Sequence, residues 1–288
     1  SGSTAHRRAA TSRAFGGSTT IGTTHAEHVV DSRRAFLGVL AIVFAASATM
    51  TIATSASMAT MGELAMPGGW ALSMVWMRMP GQTWLGAAAS FVGMWVVMMV
   101  AMMLPSLTPM LWHYRQAAGA AGAARSGRLT AIVGAGYFFV WAVVGTVVFP
   151  LGIALAATLM REPALARFVP MVVGMAVLIA GARQQSGWKT RHLAFCRNML
   201  GCSHSLPADA GSAWRHGLRL GLHCSQSCAS LTAVALGLGV MDVRVMAAVT
   251  AVVTAEHLAP AGVRVARITG TLGVAAGLLL IVRAPWPL

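Results

Sequence analysis

Charge is scarce in this sequence. Of 288 residues only seven are acidic, Lys189 is the sole lysine, and charged residues of all kinds make up 10%. Soluble globular chains carry about 25%, so an ordinary water-facing surface is excluded. There is no phosphate-binding loop, and nothing in the pattern points to hydrolysis or nucleotide chemistry. The four cysteines make no Cys-x-x-Cys-His haem attachment and match no standard zinc-finger spacing. No internal repeat is visible.

Apolar residues are abundant instead. They make up 57% of the chain, mean hydropathy is +0.69, and they come in long uninterrupted runs. Such runs fit burial in lipid, where about 20 residues of helix cross a hydrocarbon core of about 30 Å. The expected fold is all-α, a polytopic transmembrane helix bundle in a cell inner membrane. Seven runs qualify: Ala35–Met58, Trp84–Trp112, Leu129–Met160, Phe168–Ala182, Gly217–Met241, Val245–Leu258 and Ile268–Val282. The fourth, sixth and seventh are short, so six spans is the rival count.

The net charge of +14 follows the same topology. With the N-terminus inside and seven spans, only Arg78, Arg161, Arg167, Arg244 and Arg283 fall outside; the other sixteen of the 21 basic residues lie on cytoplasmic segments. That asymmetry is the positive-inside pattern of a multi-pass protein, so no nucleic-acid partner is expected. Residues 1–34 are rich in Ser, Thr, Gly, Ala and Arg without apolar period and read as a disordered cytoplasmic tail. The transmembrane domain then covers 35–283, and 284–288 form a short tail. Ser32-Arg33-Arg34-Ala35-Phe36-Leu37, with Ala46-Ser47-Ala48 beyond it, has the look of a twin-arginine export signal. Because so many apolar segments follow, the two arginines are read as the cytoplasmic cap of a retained first helix.

Four groups of residues carry possible chemistry. Thirteen of the 19 methionines lie between Met50 and Met110. Several, from Met58 to Met79, fall at or beyond the outer end of the first helix. Met94, Met98 and Met102 are four apart and share a helix face, with Met99 and Met103 beside them. Thioether sulfur is a soft ligand that selects Cu(I); in its plainer role Met fills gaps in an apolar core. Pro105 interrupts the same helix and frees a carbonyl, with Ser106 and Thr108 nearby to satisfy it.

The second group is His223-Cys224-Ser225-Gln226-Ser227-Cys228. Cys224 and Cys228, at i and i+4, share a helix face, which disfavours a disulfide and makes half of a soft-metal site. The third is His192, Cys196, Cys202, His204 and His216 in the preceding loop, where His192 and Cys196 are again one turn apart. The fourth is Glu256-His257. Ionisable residues within a span are expensive and functional by default; pairing of Glu256 with Arg264 or Arg267 is the alternative. The assumed topology brings Met102, Met103 and Pro105, the two thiols, and Glu256 with His257 to one depth on the inner side.

Three stretches carry a resemblance: Trp95-Val-Val-Met-Met-Val-Ala-Met-Met-Leu-Pro-Ser106, then Trp188-Lys189 through Cys196-Arg197, then His216-Gly217 through Cys228 with Gly239-Val-Met-Asp242 and Glu256. They resemble a bacterial family of integral membrane proteins of unknown function that are predicted to bind metal. The resemblance spans roughly 85 to 260. It implies Cys-x3-Cys-Arg in the loop, where this chain has His192 and Cys196, and Cys-x2-Cys-Cys in the fifth helix, where it has Cys224, Ser227 and Cys228. An Asn is usual where Asp242 stands. The first departure keeps a ligand type and the second loses one.

The candidate metal ligands are therefore Cys224, Cys228, His223, Met98, Met99, Met102, Met103, Cys196, His192, Glu256 and His257. The expected cargo is a soft transition metal, foremost Cu(I), carried for transport or for delivery to a membrane metalloenzyme or from a metallochaperone. In that scheme outer methionines collect the ion, the Met stripe passes it, and the Cys/His cluster holds it. Two other functions use the same residues: a thiol oxidoreductase working through Cys224 and Cys228, and a non-catalytic assembly subunit whose polar residues only join helices.

Overall fold

The computed structural model describes residues 18–60, 62–77, 81–119, 122–191, 209–239 and 242–284, with side chains described from Val30 onward apart from Glu63 and Met74. The fold is all-α, as composition leads one to expect. The long helices are α1 (Ser18–Thr60), α2 (Trp84–Ala117), α3 (Ala123–Arg161), α4 (Val169–Gln184), α5 (Ala210–Gly239), α6 (Val243–Leu258) and α7 (Gly262–Arg283). Each of the seven apolar runs falls on one of them. Among the described residues, four segments are long and apolar enough to cross a membrane: Val30–Thr60, Trp84–Ala117, Ala123–Arg161 and Gly262–Arg283.

Two local features depart from the sequence reading. The tail expected over 1–34 is helical from Ser18 onward; the apolar segment behind it supplies a formed helix, and extending one is far cheaper than nucleating one. A β-hairpin also precedes α2, with β1 (Glu63–Met66) antiparallel to β2 (Trp70–Ser73). Its turn is Pro67-Gly68-Gly69, where both glycines take positive φ, 101° and 74°, a conformation that costs other residues dearly.

The chain divides into two compact units, Ser1–Val43, which holds the leading part of α1, and Phe44–Leu288, which holds everything described below. Within the second unit α4 packs along α7, α3 along both α2 and α5, and α6 against α2 and α7. Glycines set the closest approaches. A Cβ on Gly217 of α5 would overlap the Val133 carbonyl of α3, and one on Gly221 would sit 2.8 Å from the Tyr137 carbonyl oxygen. Gly181 of α4 meets Gly270 and Val274 of α7 in the same manner, and Gly277 meets Leu178. These glycines thus form backbone-to-backbone seams between helices.

Polarity is inverted relative to a soluble protein. Phe139, Val143, Val147, Leu151 and Leu155 form an i, i+4 stripe along α3 that is exposed over its whole length. Meanwhile Gln184, Lys189, Ser227, Thr232 and Glu256 are buried. Apolar outside and polar inside is the arrangement lipid selects, because the exterior solvent cannot hydrate and the interior must satisfy every polar group itself.

Candidate metal centre

Alternating helices bring the C-terminal half of α2, the N-terminal half of α3, the first half of α5, the last turn of α6 and the first turns of α7 to one end of the bundle. The chemistry-bearing side chains meet there. Cys224 and Cys228 lie on one face of α5, both buried, with their Sγ atoms 3.8 Å apart. A ring nitrogen of His257 from α6 joins them; the three ligand atoms lie within 4.8 Å of one another. Tyr137 of α3 donates its hydroxyl to Cys224 Sγ at 2.9 Å and fixes that sulfur's orientation.

The imidazole is set up as a ligand. His257 Nδ1 sits 2.8 Å from the Val253 carbonyl oxygen. A carbonyl only accepts, so Nδ1 carries the proton and Nε2 presents its lone pair. That Nε2 is buried and has no hydrogen-bond partner, an expensive condition for a polar atom unless something else binds it. The sulfur spacing fits as well: two bonds of about 2.3 Å at a tetrahedral angle place sulfurs about 3.8 Å apart. A cavity of about 10 Å³ opens beside Cys224 and His257, bounded also by Ser106, Leu107, Met110, Tyr137 and Leu220. It is at the lower limit for one water, so it suits a bare ion rather than an organic substrate. Met102, Cys228 and Glu256 do not line it.

Glu256 does different work from its neighbour. Its Oε2 pairs with Lys189 Nζ at 2.8 Å, with the two side chains 0% and 2% exposed. Its Oε1 accepts from Gln184 Nε2 at 2.6 Å and from Thr269 Oγ1 at 3.2 Å. Lys189 Nζ also donates to the Ser227 carbonyl at 2.7 Å. One carboxylate thus ties α4, the helical turn at 187–191, α6 and α7 together, and through Lys189 it reaches the residue before Cys228. The alternative of pairing with Arg264 or Arg267 is met by a different cation, Lys189. The sequence reading singled out neither Lys189 nor Gln184, Tyr137 and Thr269 as site residues. Of these only Lys189 carried a signal, as the sole lysine in an apolar chain.

The remaining candidates are placed as follows. Met98, Met99, Met102 and Met103 are buried in α2, between 0% and 4% exposed. Ser106 and Thr108 bond the carbonyls of Met103 and Leu104, at 2.9 and 2.8 Å, rather than the Ala101 carbonyl that Pro105 frees. His223 is half-buried on α5, outside the thiol and imidazole group. Ser227, standing where the resemblance implies a third thiol, donates to the Cys224 carbonyl at 2.9 Å, with its Oγ 3.6 Å from Cys228 Sγ. His216 stacks on Tyr114 with ring centroids 5.4 Å apart. Asp242 caps α6 by accepting from the Arg244 and Val245 amides, a role Asn fills equally well. His192, Cys196, Cys202 and His204 lie outside the described residues.

Fold and site together define a helical membrane protein with two buried thiols and an imidazole gathered within 4.8 Å of one another, and a small cavity beside Cys224 and His257. The PpoB2 family model, described as a copper chaperone, matches residues 92–280, from α2 through nearly all of α7. The chain belongs to that family. No curated protein and no solved structure matches it.

Proposed function

We propose that this protein is a multi-pass inner-membrane carrier of Cu(I), which it holds at Cys224, Cys228 and His257 for transport or for hand-over to a membrane metalloenzyme or metallochaperone. The observation that carries the reading is the His257 ring: an imidazole oriented by Val253, with an unpartnered buried Nε2, placed beside two thiols. Thiolate and imidazole are donors that copper accepts readily and that hard cations do not. The family's description as a copper chaperone supports the choice of metal. Met98, Met99, Met102 and Met103 supply thioethers along α2 for the ion's passage, and Cys196 and His192 are offered as further ligands on their residue types alone.

In this reading all seven helices cross, with the N-terminus inside. α4 and α6 have 16 residues each, about 24 Å of helix, and cross where the bundle thins the bilayer or loops extend the span. A reporter fused after Leu288 is expected to behave as periplasmic; a cytoplasmic signal refutes the seven-span topology.

Metal analysis of the purified, detergent-solubilised chain tests the function. Copper is expected to copurify in stoichiometric amount. Cys224→Ser, nearly isosteric, is expected to lose most of it while leaving the fold intact. Full copper content in Cys224→Ser overturns the reading. Redox-dependent thiol labelling in metal-free protein would instead support a thiol oxidoreductase.

A further inference from the structure

A second cavity lies at the other end of the bundle, about 140 Å³ in volume and open on one side. Three thioethers line it, and they come from three separate segments: Met58 from the end of α1, Met77 from the turn after the hairpin, and Met94 from α2. All three are half-buried. Trp76, Phe91 and Gln82 complete the near wall, and among the described residues the lining carries no charged side chain.

The segment that delivers Met77 is anchored. Trp70 Nε1 donates to the Ala166 carbonyl at 2.8 Å, holding the hairpin to the connection between α3 and α4. The Trp76 ring occupies the space over Gly152 of α3, which a Cβ there would fill, and it packs on Phe91 with centroids 5.4 Å apart. These contacts hold the segment carrying Met77 against α3 and α2, at the cavity that Met58 and Met94 also line.

We infer that Met58, Met77 and Met94 form a second Cu(I) site, a thioether port at the end of the bundle opposite the thiols. It rests on the reading that the chain handles copper, but it is a different site, and most of its lining precedes the stretch matched by the family model, which begins at residue 92. Neutral sulfur donors without a carboxylate select a soft monovalent ion over the hard cations outside a cell. The π face of an adjacent indole adds attraction for a cation. A thioether has no proton to lose, so this site keeps its affinity in acid, whereas a thiolate site weakens as protons compete. The ion exchanges ligands here with no change of oxidation state.

The test titrates the full-length protein in detergent with Cu(I) against a competing chelator, at pH 7 and pH 5. Wild type is expected to bind two ions. Cys224→Ser/Cys228→Ser is expected to bind one, with similar affinity at both pH values. Adding Met58→Leu, Met77→Leu and Met94→Leu is expected to remove that ion; each alone should weaken it by at least about tenfold, since even outer partners of a ligand cost about 10–100-fold. Leu nearly conserves volume, so the packing survives. Peroxide footprinting of the unmutated chain gives an independent readout: silver(I) should protect Met58, Met77 and Met94 from sulfoxide formation. The inference is overturned if wild type binds a single ion that the cysteine variant loses, if the residual ion weakens at pH 5, if the methionine variants retain it, or if silver leaves the three sulfurs as reactive as exposed Met160. An unchanged count of two in the cysteine variant would instead sink the thiol site and leave the port standing.

Discussion

Lys189 and Glu256 offer the sharpest quantitative test of the architecture. The pair is 2.8 Å apart and essentially unexposed, so neither charge has water to fall back on. Glu256→Gln leaves the ammonium without the carboxylate charge, with the Ser227 carbonyl still accepting from it. Lys189→Met leaves Oε2 without the ammonium it pairs with, while Gln184 and Thr269 still donate to Oε1. Removing one member of a buried pair costs about 3–5 kcal/mol, because the survivor stays buried and uncompensated. Glu256→Gln is expected at the upper end of that range and Lys189→Met at the lower. The double variant removes both charges and is expected to cost less than either single one, since exchanging a whole buried pair is often close to neutral. Denaturant unfolding in detergent, read as a double-mutant cycle, gives a coupling energy expected at about 3 kcal/mol or more. Single losses below about 1 kcal/mol, or a double loss equal to the sum of the singles, would refute the claim that this pair holds five elements together. Copper affinity should fall with stability in Glu256→Gln, because the same carboxylate anchors the turn carrying His257.

Two further outcomes follow from geometry alone. Gly217→Ala forces a Cβ against the Val133 carbonyl, a backbone atom that cannot step aside, and is expected to lose about 1–3 kcal/mol or more; Gly134→Ala, with nothing within 4 Å, should match or exceed wild type in the same thermal melt. At the start of α5 the Asp209 carboxylate accepts from the Ser212 amide at 2.9 Å, and that bond, ahead of the Ser212 side chain, holds its pKa below the ordinary value. A lowered folded pKa stabilises above the unfolded one and is lost as pH falls through the folded value, so the protection factor of the Ser212 amide, taken against the intrinsic exchange rate at each pH, should fall in acid in wild type and be low at every pH in Asp209→Ala; an amide equally protected in both would remove the cap.

The helices were legible because lipid imposes a coarse rule, a long run without charge, and that rule survives any detail of packing. The thiol pair was legible for a similar reason: i and i+4 share a face whatever surrounds them. The hairpin at 63–73 was missed although Pro67-Gly68-Gly69 between short apolar pairs is a turn signal; the density of methionine drew the segment toward metal ligation and away from strand pairing. The carboxylate network was out of reach in principle. Gln184 and Glu256 are 72 positions apart, and Tyr137 and Cys224 are 87 apart, so no local pattern joins them. A carboxylate within a span and a lone lysine in an apolar chain were its traces, without a pattern to join them.

The two ends of the bundle now differ in a way that bears on direction. One end gathers two thiols and an imidazole beside a small cavity, with a carboxylate network close by; the other places three neutral thioethers on a cavity an order of magnitude larger and open on one side. Thiolates carry charge and hold copper tightly, while thioethers are neutral and release it readily. An ion moving from the open end toward the thiols therefore runs downhill in ligand strength, with the α2 methionines between as intermediate partners. The reverse journey needs an uphill step that only a tighter acceptor near Cys224 and Cys228 would drive. Burial of both thiols keeps such an acceptor from reaching them directly, and the Lys189 contact with the Ser227 carbonyl ties the thiol-bearing stretch of α5 to the network around Glu256.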